Sequence, residues 1–121
     1  MTIQIELGKK GELLVTQYLK KQGYTILTTN YSVRGGEIDI VAQKQHVLAF
    51  VEVKMRSNVY FNISEVVTPS KQRKIILAAR MYAARYYTAI ERVYRFDVAL
   101  VEPQDHDYTI LYIPDAFTAA E

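Results

Sequence analysis

Three charged residues stand inside stretches that are otherwise apolar. Asp39 lies in Gly36-Glu37-Ile38-Asp39-Ile40-Val41-Ala42, while Glu52 and Lys54 lie in Phe50-Val51-Glu52-Val53-Lys54. An ionised carboxylate removed from water is costly unless a cation or strong hydrogen bonds compensate it. An ion pair in a sheet core rarely recovers its desolvation cost, so a purely structural role is the weaker reading of the three. Two converging carboxylates suit a hard divalent cation such as Mg2+, with Mn2+ as a substitute. Such an ion takes oxygen ligands and completes its shell with water and phosphate oxygens. It polarises a phosphate and lowers the pKa of a bound water. A lysine two residues beyond the second acid can orient that water or offset charge building on the phosphate. The set predicts metal-assisted phosphodiester hydrolysis.

The acids meet only if the strands carrying them form a hairpin in the right register. Residues 37–43 and 46–54 read as strands joined by the polar turn Lys44-Gln45. That turn pairs Gln43 with His46 and sets Asp39 opposite Phe50 and Glu37 opposite Glu52. Asp39 and Glu52 then become diagonal neighbours roughly 7–8 Å apart at the backbone. Because residues i and i+2 share a face, Glu37, Asp39, Phe50, Glu52 and Lys54 are expected on one side. A four-residue loop gives the same register, whereas a three-residue loop would separate the acids onto opposite faces.

Helical and strand patterns surround this hairpin. Residues 8–22 predict a helix with Gly11, Leu14, Val15, Tyr18 and Leu19 on one side and Gly23 as its C-cap. Residues 24–31 predict a strand, and residues 32–36 a turn. The hairpin strands carry apolar residues on both faces, which predicts a sheet covered on both sides. Residues 55–68 form a mixed loop. Thr68 is the expected N-cap and Pro69 the first residue of a helix running to about Tyr87, with Ile75, Ala78, Ala79, Tyr82, Ala83 and Tyr86 on one face. Residues 95–101 predict a buried strand and residues 108–113 a short last one. The expectation is one α/β domain over residues 1–121, of order α-β-β-β-α-β-β, with a central mixed sheet flanked by helices.

Composition narrows the function classes. The chain has 121 residues, half of them hydrophobic, enough for one core. It has no cysteine, which excludes disulfides, thiolate metal sites and cysteine nucleophiles. A net charge of +2 permits a polyanionic partner without demanding one. The N-terminal residues lack the pattern of a signal peptide, and no apolar run is long enough to span a membrane, so a cytoplasmic location without membrane association is expected.

Asp39 with Glu52-Val53-Lys54 resembles the D…E-x-K motif of the PD-(D/E)xK, or restriction-endonuclease-like, superfamily, with Ile38 where the strict pattern has proline. The resemblance extends along the chain. Gly8, Gly11-Glu12, Gly35-Gly36-Glu37-Ile38-Asp39, Phe50-Val51-Glu52-Val53-Lys54, Arg95-Phe96-Asp97 and Asp115-Ala116-Phe117 look like the YraN-type endonuclease-like family. The same order is similar to archaeal Holliday-junction resolvases. The resemblance implies a restriction-endonuclease-like fold and a Mg2+-dependent endonuclease acting on double-stranded or branched DNA, with RNA left open. It implies that Glu12 joins Asp39 and Glu52 at the metal, and that Lys71, at the start of the second long helix, contacts phosphate. Resolvases act as dimers because two symmetric strands need two cuts, so a homodimer is implied, although no segment reads as its seam. In the family a glycine often follows the phenylalanine of the 55–68 loop, and here Asn62 follows Phe61, so that loop's geometry does not carry over.

The remaining candidates divide between chemistry and packing. Arg56 is a second candidate for phosphate contact, and Tyr60-Phe61 for contact with substrate. Glu37 is either a ligand or a solvated strand end. Gly35-Gly36 reads as a tight turn, His46 and His106 as turn residues, and Asp97 as a structural partner of Arg95. Lys71, Lys74 and Arg85 fall along one helix flank, where a solvated face is the first reading. Two rivals to the nuclease remain: a non-catalytic nucleic-acid-binding module retaining the same fold, and a scaffold whose acids are structural. A binder of polyanions gains nothing from converging carboxylates, which favours the nuclease.

Overall fold

The computed structural model describes residues 3–55, 62–86 and 92–119, with the main chain alone for residues 3–7. The elements run α1 (Ile3–Lys21), β1 (Thr25–Val33), β2 (Gly36–Lys44), β3 (Val47–Met55), α2 (Ile63–Val66), α3 (Pro69–Tyr86), β4 (Val93–Gln104) and β5 (Asp107–Phe117). The strands form one sheet in the order β1-β2-β3-β4-β5. Every pairing is antiparallel except β3 with β4, whose crossover contains α2 and α3. This is the expected α/β mixed sheet flanked by helices. The additions are a single helical turn, α2, inside the stretch read as loop, and longer β4 and β5.

The local signals act as their chemistry dictates. At the end of α1, Gly23 has φ 95°, its N–H donates to Lys20 O at 3.1 Å, and Tyr24 N–H donates to Leu19 O at 2.9 Å. That closes the orphan carbonyls in a Schellman pattern. At the start of α3, Thr68 Oγ1 accepts from Lys71 N–H at 3.3 Å, and Pro69 supplies the first helical residue, which needs no donor.

Two apolar layers hold the helices to the sheet. On one face Ile75, Ala78, Ala79 and Tyr82 of α3 pack with Ile38, Val41, Phe50, Phe96 and Val98. On the other, Val15 and Leu19 of α1 pack with Ile40, Ala42, Ala49, Val51, Ala99 and Val101. The central residues are essentially inaccessible, and each such large side chain contributes roughly 1.5–3 kcal/mol of transfer free energy. An aromatic ladder crosses the α3 face: Tyr31 meets Tyr82 edge-on at 5.1 Å, and Phe96 stacks between Phe50 at 5.7 Å and Phe117 at 5.2 Å. Tyr86, expected in the core, is half-exposed and packs along Tyr82, with the Arg85 guanidinium over its ring.

The hairpin register differs from the expected one. The turn is Gln45-His46, with Gln45 at φ 53°, and the pairs are Lys44↔Val47, Gln43↔Leu48 and Val41↔Phe50. Polar residues flank both candidate turns, so composition did not distinguish them. The shift is by two residues, which preserves the faces but moves Asp39 from opposite Phe50 toward opposite Glu52.

A second departure matters more. Ile38 belongs to the α3-side core and Ile40 to the α1-side core, although two residues apart on one strand. The switch coincides with Asn30, in the facing position on β1, which has φ 53°. Regular pairing of β2 with β3 also ends there, at Ile40↔Val51. The β1–β2 hairpin therefore turns over at Asn30 and Asp39 and leaves β3. Its tip lies close under α3. A Cβ on Gly36 would stand 2.3 Å from Lys74 O, so only glycine permits this approach.

Candidate active site

The opening between β2 and β3 is where the acids converge. Beyond the last regular pair, Asp39 Oδ2 accepts the Val53 N–H at 2.8 Å, so the side chain replaces the ladder bond that strand β2 no longer supplies. This fixes the Asp39 carboxyl against β3. The Glu52 side chain lies on the α3 face, near enough to Asp39 for the two carboxyls to act on one another. Glu52 is only 4% exposed, and its Oε1 is buried without any donor among the described residues. Two carboxylates so placed require a proton or a cation between them. Burial first, and then the Asp39 charge, push the Glu52 pKa up to about 8, against the opposing charges of Lys71 and Lys54.

α3 brings Lys71 to the same place. Its Nζ lies 3.6 Å from Glu52 Oε2 and 3.5 Å from Glu37 Oε1. Burial pulls the Lys71 pKa down, but Glu52, Glu37 and Asp39 together outweigh it and leave the ammonium more firmly protonated than usual. Glu37 itself remains exposed, at the solvent edge of the site. Lys54 extends β3 beyond Glu52, is exposed, and forms no ion pair among the described residues.

α1 contributes Glu12. The helix approaches β3 closely because Gly11 has no side chain; a Cβ there would stand 2.9 Å from Met55 Sδ and 3.4 Å from Val53. Glu12 Oε1 accepts from Asn30 Nδ2 at 3.0 Å. Burial raises its pKa, the Asn30 bond opposes this, and the charges of Asp39 and Glu37 add to the rise. Glu12 therefore feels the acid pair from the edge of the site. Among the described residues no three acidic or imidazole groups are close enough together to enclose a metal ion.

The structure thus brings together Asp39, Glu52, Lys71 and Glu37, places Lys54 on the adjoining solvent side, and sets Glu12 at the rim. Arg56 and Tyr60-Phe61 lie outside the described residues. Asn30 was not singled out from the sequence. The available signal was an asparagine, a poor strand former, inside the run Thr28-Thr29-Asn30-Tyr31. Asp97 serves structure, as expected. Fully buried on the other face of the sheet, it accepts from Arg95 Nε at 2.9 Å and Nη2 at 2.8 Å, from the Tyr112 hydroxyl, and from Asp115 N–H at 2.9 Å. The last donor is aimed by a bulge in β5, where Asp115 has φ 54°. Every Asp97 oxygen is satisfied, in contrast to Glu52. His46 and His106 occupy turns.

Residues 11–101, a span containing Glu12, Asp39, Glu52, Lys54 and Lys71, match the profile of an uncharacterised protein family, UPF0102. The chain is 42% identical over 120 residues to a UPF0102 protein of Clostridium perfringens strain 13, covering 92% of this chain and 93% of that one. It is 43% identical over 119 residues to one from Chlorobium chlorochromatii, covering 93% and 91%. With a UPF0102 protein of Carboxydothermus hydrogenoformans the identity is 51% over 78 residues, 64% of this chain and 66% of that one. A profile match over most of the chain and near full-length relatives lead to one conclusion: this protein belongs to the UPF0102 family.

Proposed function

We propose that this protein is a divalent-metal-dependent endonuclease that hydrolyses phosphodiester bonds in DNA, within the YraN-type, PD-(D/E)xK-like group that its motifs resemble. The observation that carries this reading is a buried Glu52, beside Asp39, whose Oε1 has no donor among the described residues. A structural carboxylate in this protein looks different: Asp97 is surrounded by donors. The donor set also fits the ion. Mg2+ is commonly held by one or two carboxylates, with water and substrate phosphate completing its shell, so a cage of three side chains is not required. With Glu12, Glu37, Asp39 and Glu52 ionised against Lys54 and Lys71, the site is short of two positive charges, the charge of one such ion.

In this reading Asp39 and Glu52 would hold the ion, with Glu12 as the third acid beside them. A bound ion supplies phosphate polarisation and a water of lowered pKa. Lys54, exposed and without an ion pair among the described residues, offsets charge building on the phosphate. Asn30 keeps the Glu12 carboxylate aimed. A branched substrate and a homodimer follow from the resemblance to resolvases.

The test is cleavage of labelled linear, flapped and four-way-junction DNA, and of matched RNA, by wild type and Glu52→Gln with Mg2+, Mn2+ or EDTA. Metal-dependent cleavage by wild type alone is expected, and the best substrate identifies the class. One observation favours a second reading, a non-catalytic nucleic-acid-binding module: Lys71 already lies within ion-pair distance of Glu52 and Glu37. Junction affinity in EDTA, with no cleavage of any nucleic acid in Mn2+, would select that reading instead.

A further inference from the structure

Lys71 is the third residue of α3, with its main chain held by the Thr68 hydroxyl. Its ammonium is held less firmly. A charge-assisted N–H···O bond is about 2.7–2.9 Å long, and both contacts of Lys71 are longer, at 3.5 Å to Glu37 and 3.6 Å to Glu52. The Glu37 side chain is 59% exposed, where an ion pair contributes little. Among the described residues the other oxygen of Glu52 lacks a donor, so there Lys71 compensates the acid pair on one side only. A lysine is a point charge on a flexible stem, suited to moving between anions a few ångströms apart.

We propose that Lys71 is an internal counter-ion that changes partners, resting between Glu37 and Glu52 in the free protein and passing to a substrate phosphate once a divalent cation neutralises the acid pair. This rests on the endonuclease reading. It adds a resident competitor for the metal and gives Glu37 a role as the resting point. Two consequences of opposite sign follow. Without Lys71 the free protein binds the cation more tightly, because a repelling charge and a rival for Glu52 are gone. In the presence of cation it binds nucleic acid less tightly, because one phosphate contact is gone. A lysine that only braced the fold would produce no such opposition.

The experiment is calorimetric titration of Mn2+ into full-length wild type, Lys71→Met, Lys71→Gln and Glu37→Gln, followed by binding of a labelled DNA duplex in Ca2+ across a KCl series. Melting curves confirm that each variant is folded, and Lys71→Gln, which removes the charge but keeps a polar stem, stands in if Lys71→Met is not. Removal of the charge is expected to tighten Mn2+ binding several-fold. It is also expected to make the slope of log affinity against log salt shallower by about one. Glu37→Gln is expected to tighten DNA binding. Mn2+ affinity that is not tightened in the Lys71 variants, or an unchanged salt slope, overturns the proposal. Absence of Mn2+ binding by wild type overturns the endonuclease reading itself, so the two failures are distinct.

Discussion

At the scale of single residues, two buried acids in one small sheet have opposite fates. Asp97 is surrounded by donors, and that bond holds its Arg95 partner more firmly protonated. Glu52 faces another carboxylate and is pushed up to about 8. Its sign of linkage follows. Between the ordinary carboxylate value of 4.5 and about 8, folded Glu52 retains a proton that the unfolded chain releases. Stability is therefore fully present below that window and falls as pH rises through it. In EDTA, the melting temperature of wild type is expected to drop between pH 5 and 8, reflecting a loss on the order of a few kcal/mol. Glu52→Gln should flatten the profile, and Mg2+ at pH 8 should raise the melting temperature of wild type only. A flat wild-type profile would show that Glu52 is ionised throughout. For Asp97, replacement by Asn strands the Arg95 guanidinium, and urea denaturation should report a loss of roughly 3 kcal/mol. Mn2+ affinity should be unchanged in that variant, since Asp97 lies on the other face of the sheet.

At the scale of elements, glycine spacing decides how closely each helix approaches the acids, and the two contacts differ in kind. A methyl group on Gly36 would meet the rigid backbone carbonyl of Lys74 at 2.3 Å, whereas one on Gly11 would meet the flexible end of Met55 at 2.9 Å. Gly36→Ala is therefore expected to cost about 1–3 kcal/mol or more and to weaken Mn2+ binding, because the hairpin must leave α3. Gly11→Ala should cost under about 1 kcal/mol, since the Met55 thioether can rotate away. Equal melting temperatures for the two variants would refute this ranking. Much of this level was legible beforehand. Thr68-Pro69, the Gly23 cap and the helical stripes act through neighbours a few residues away, so their signals are local. The β2–β3 turn was misplaced by one position because Lys44, Gln45 and His46 are all tolerated there. The parity of the error preserved the predicted faces from Ile40 onward, whereas Ile38 shares the α3 side with Phe50, opposite to expectation. Nothing local announces that β2 turns over at Asp39, because the cause is the docking of its tip beneath α3.

At the scale of the whole molecule, β4 is covered on both sides, and β5 is a sheet edge carrying Tyr108-Thr109-Ile110-Leu111-Tyr112-Ile113 without charge, glycine or proline. Leu111 is 53% exposed. Such an edge invites pairing with another chain, and a charge on it is the usual protection. Leu111→Lys is expected to lower light scattering at high protein concentration while shifting stability by no more than about 0.5 kcal/mol. Scattering that is unchanged would place any self-association elsewhere. Among the described residues no helix is long and apolar enough to cross a membrane.

What the sequence by itself determined was the set of acids and the class of fold. Charged residues inside apolar strands are conspicuous because burial is costly, and periodicity depends on residues near one another in the chain. Only the tertiary structure decided which acids touch. The hairpin has to leave β3 for Asp39 to bind the Val53 amide, α3 has to close over Gly36 for Lys71 to reach Glu37 and Glu52, and α1 has to settle at Gly11 for Glu12 to meet Asn30. Each of these is a contact between segments distant in sequence. Its geometry is set by the packing of three elements at once, which no pattern along a single strand or helix can encode.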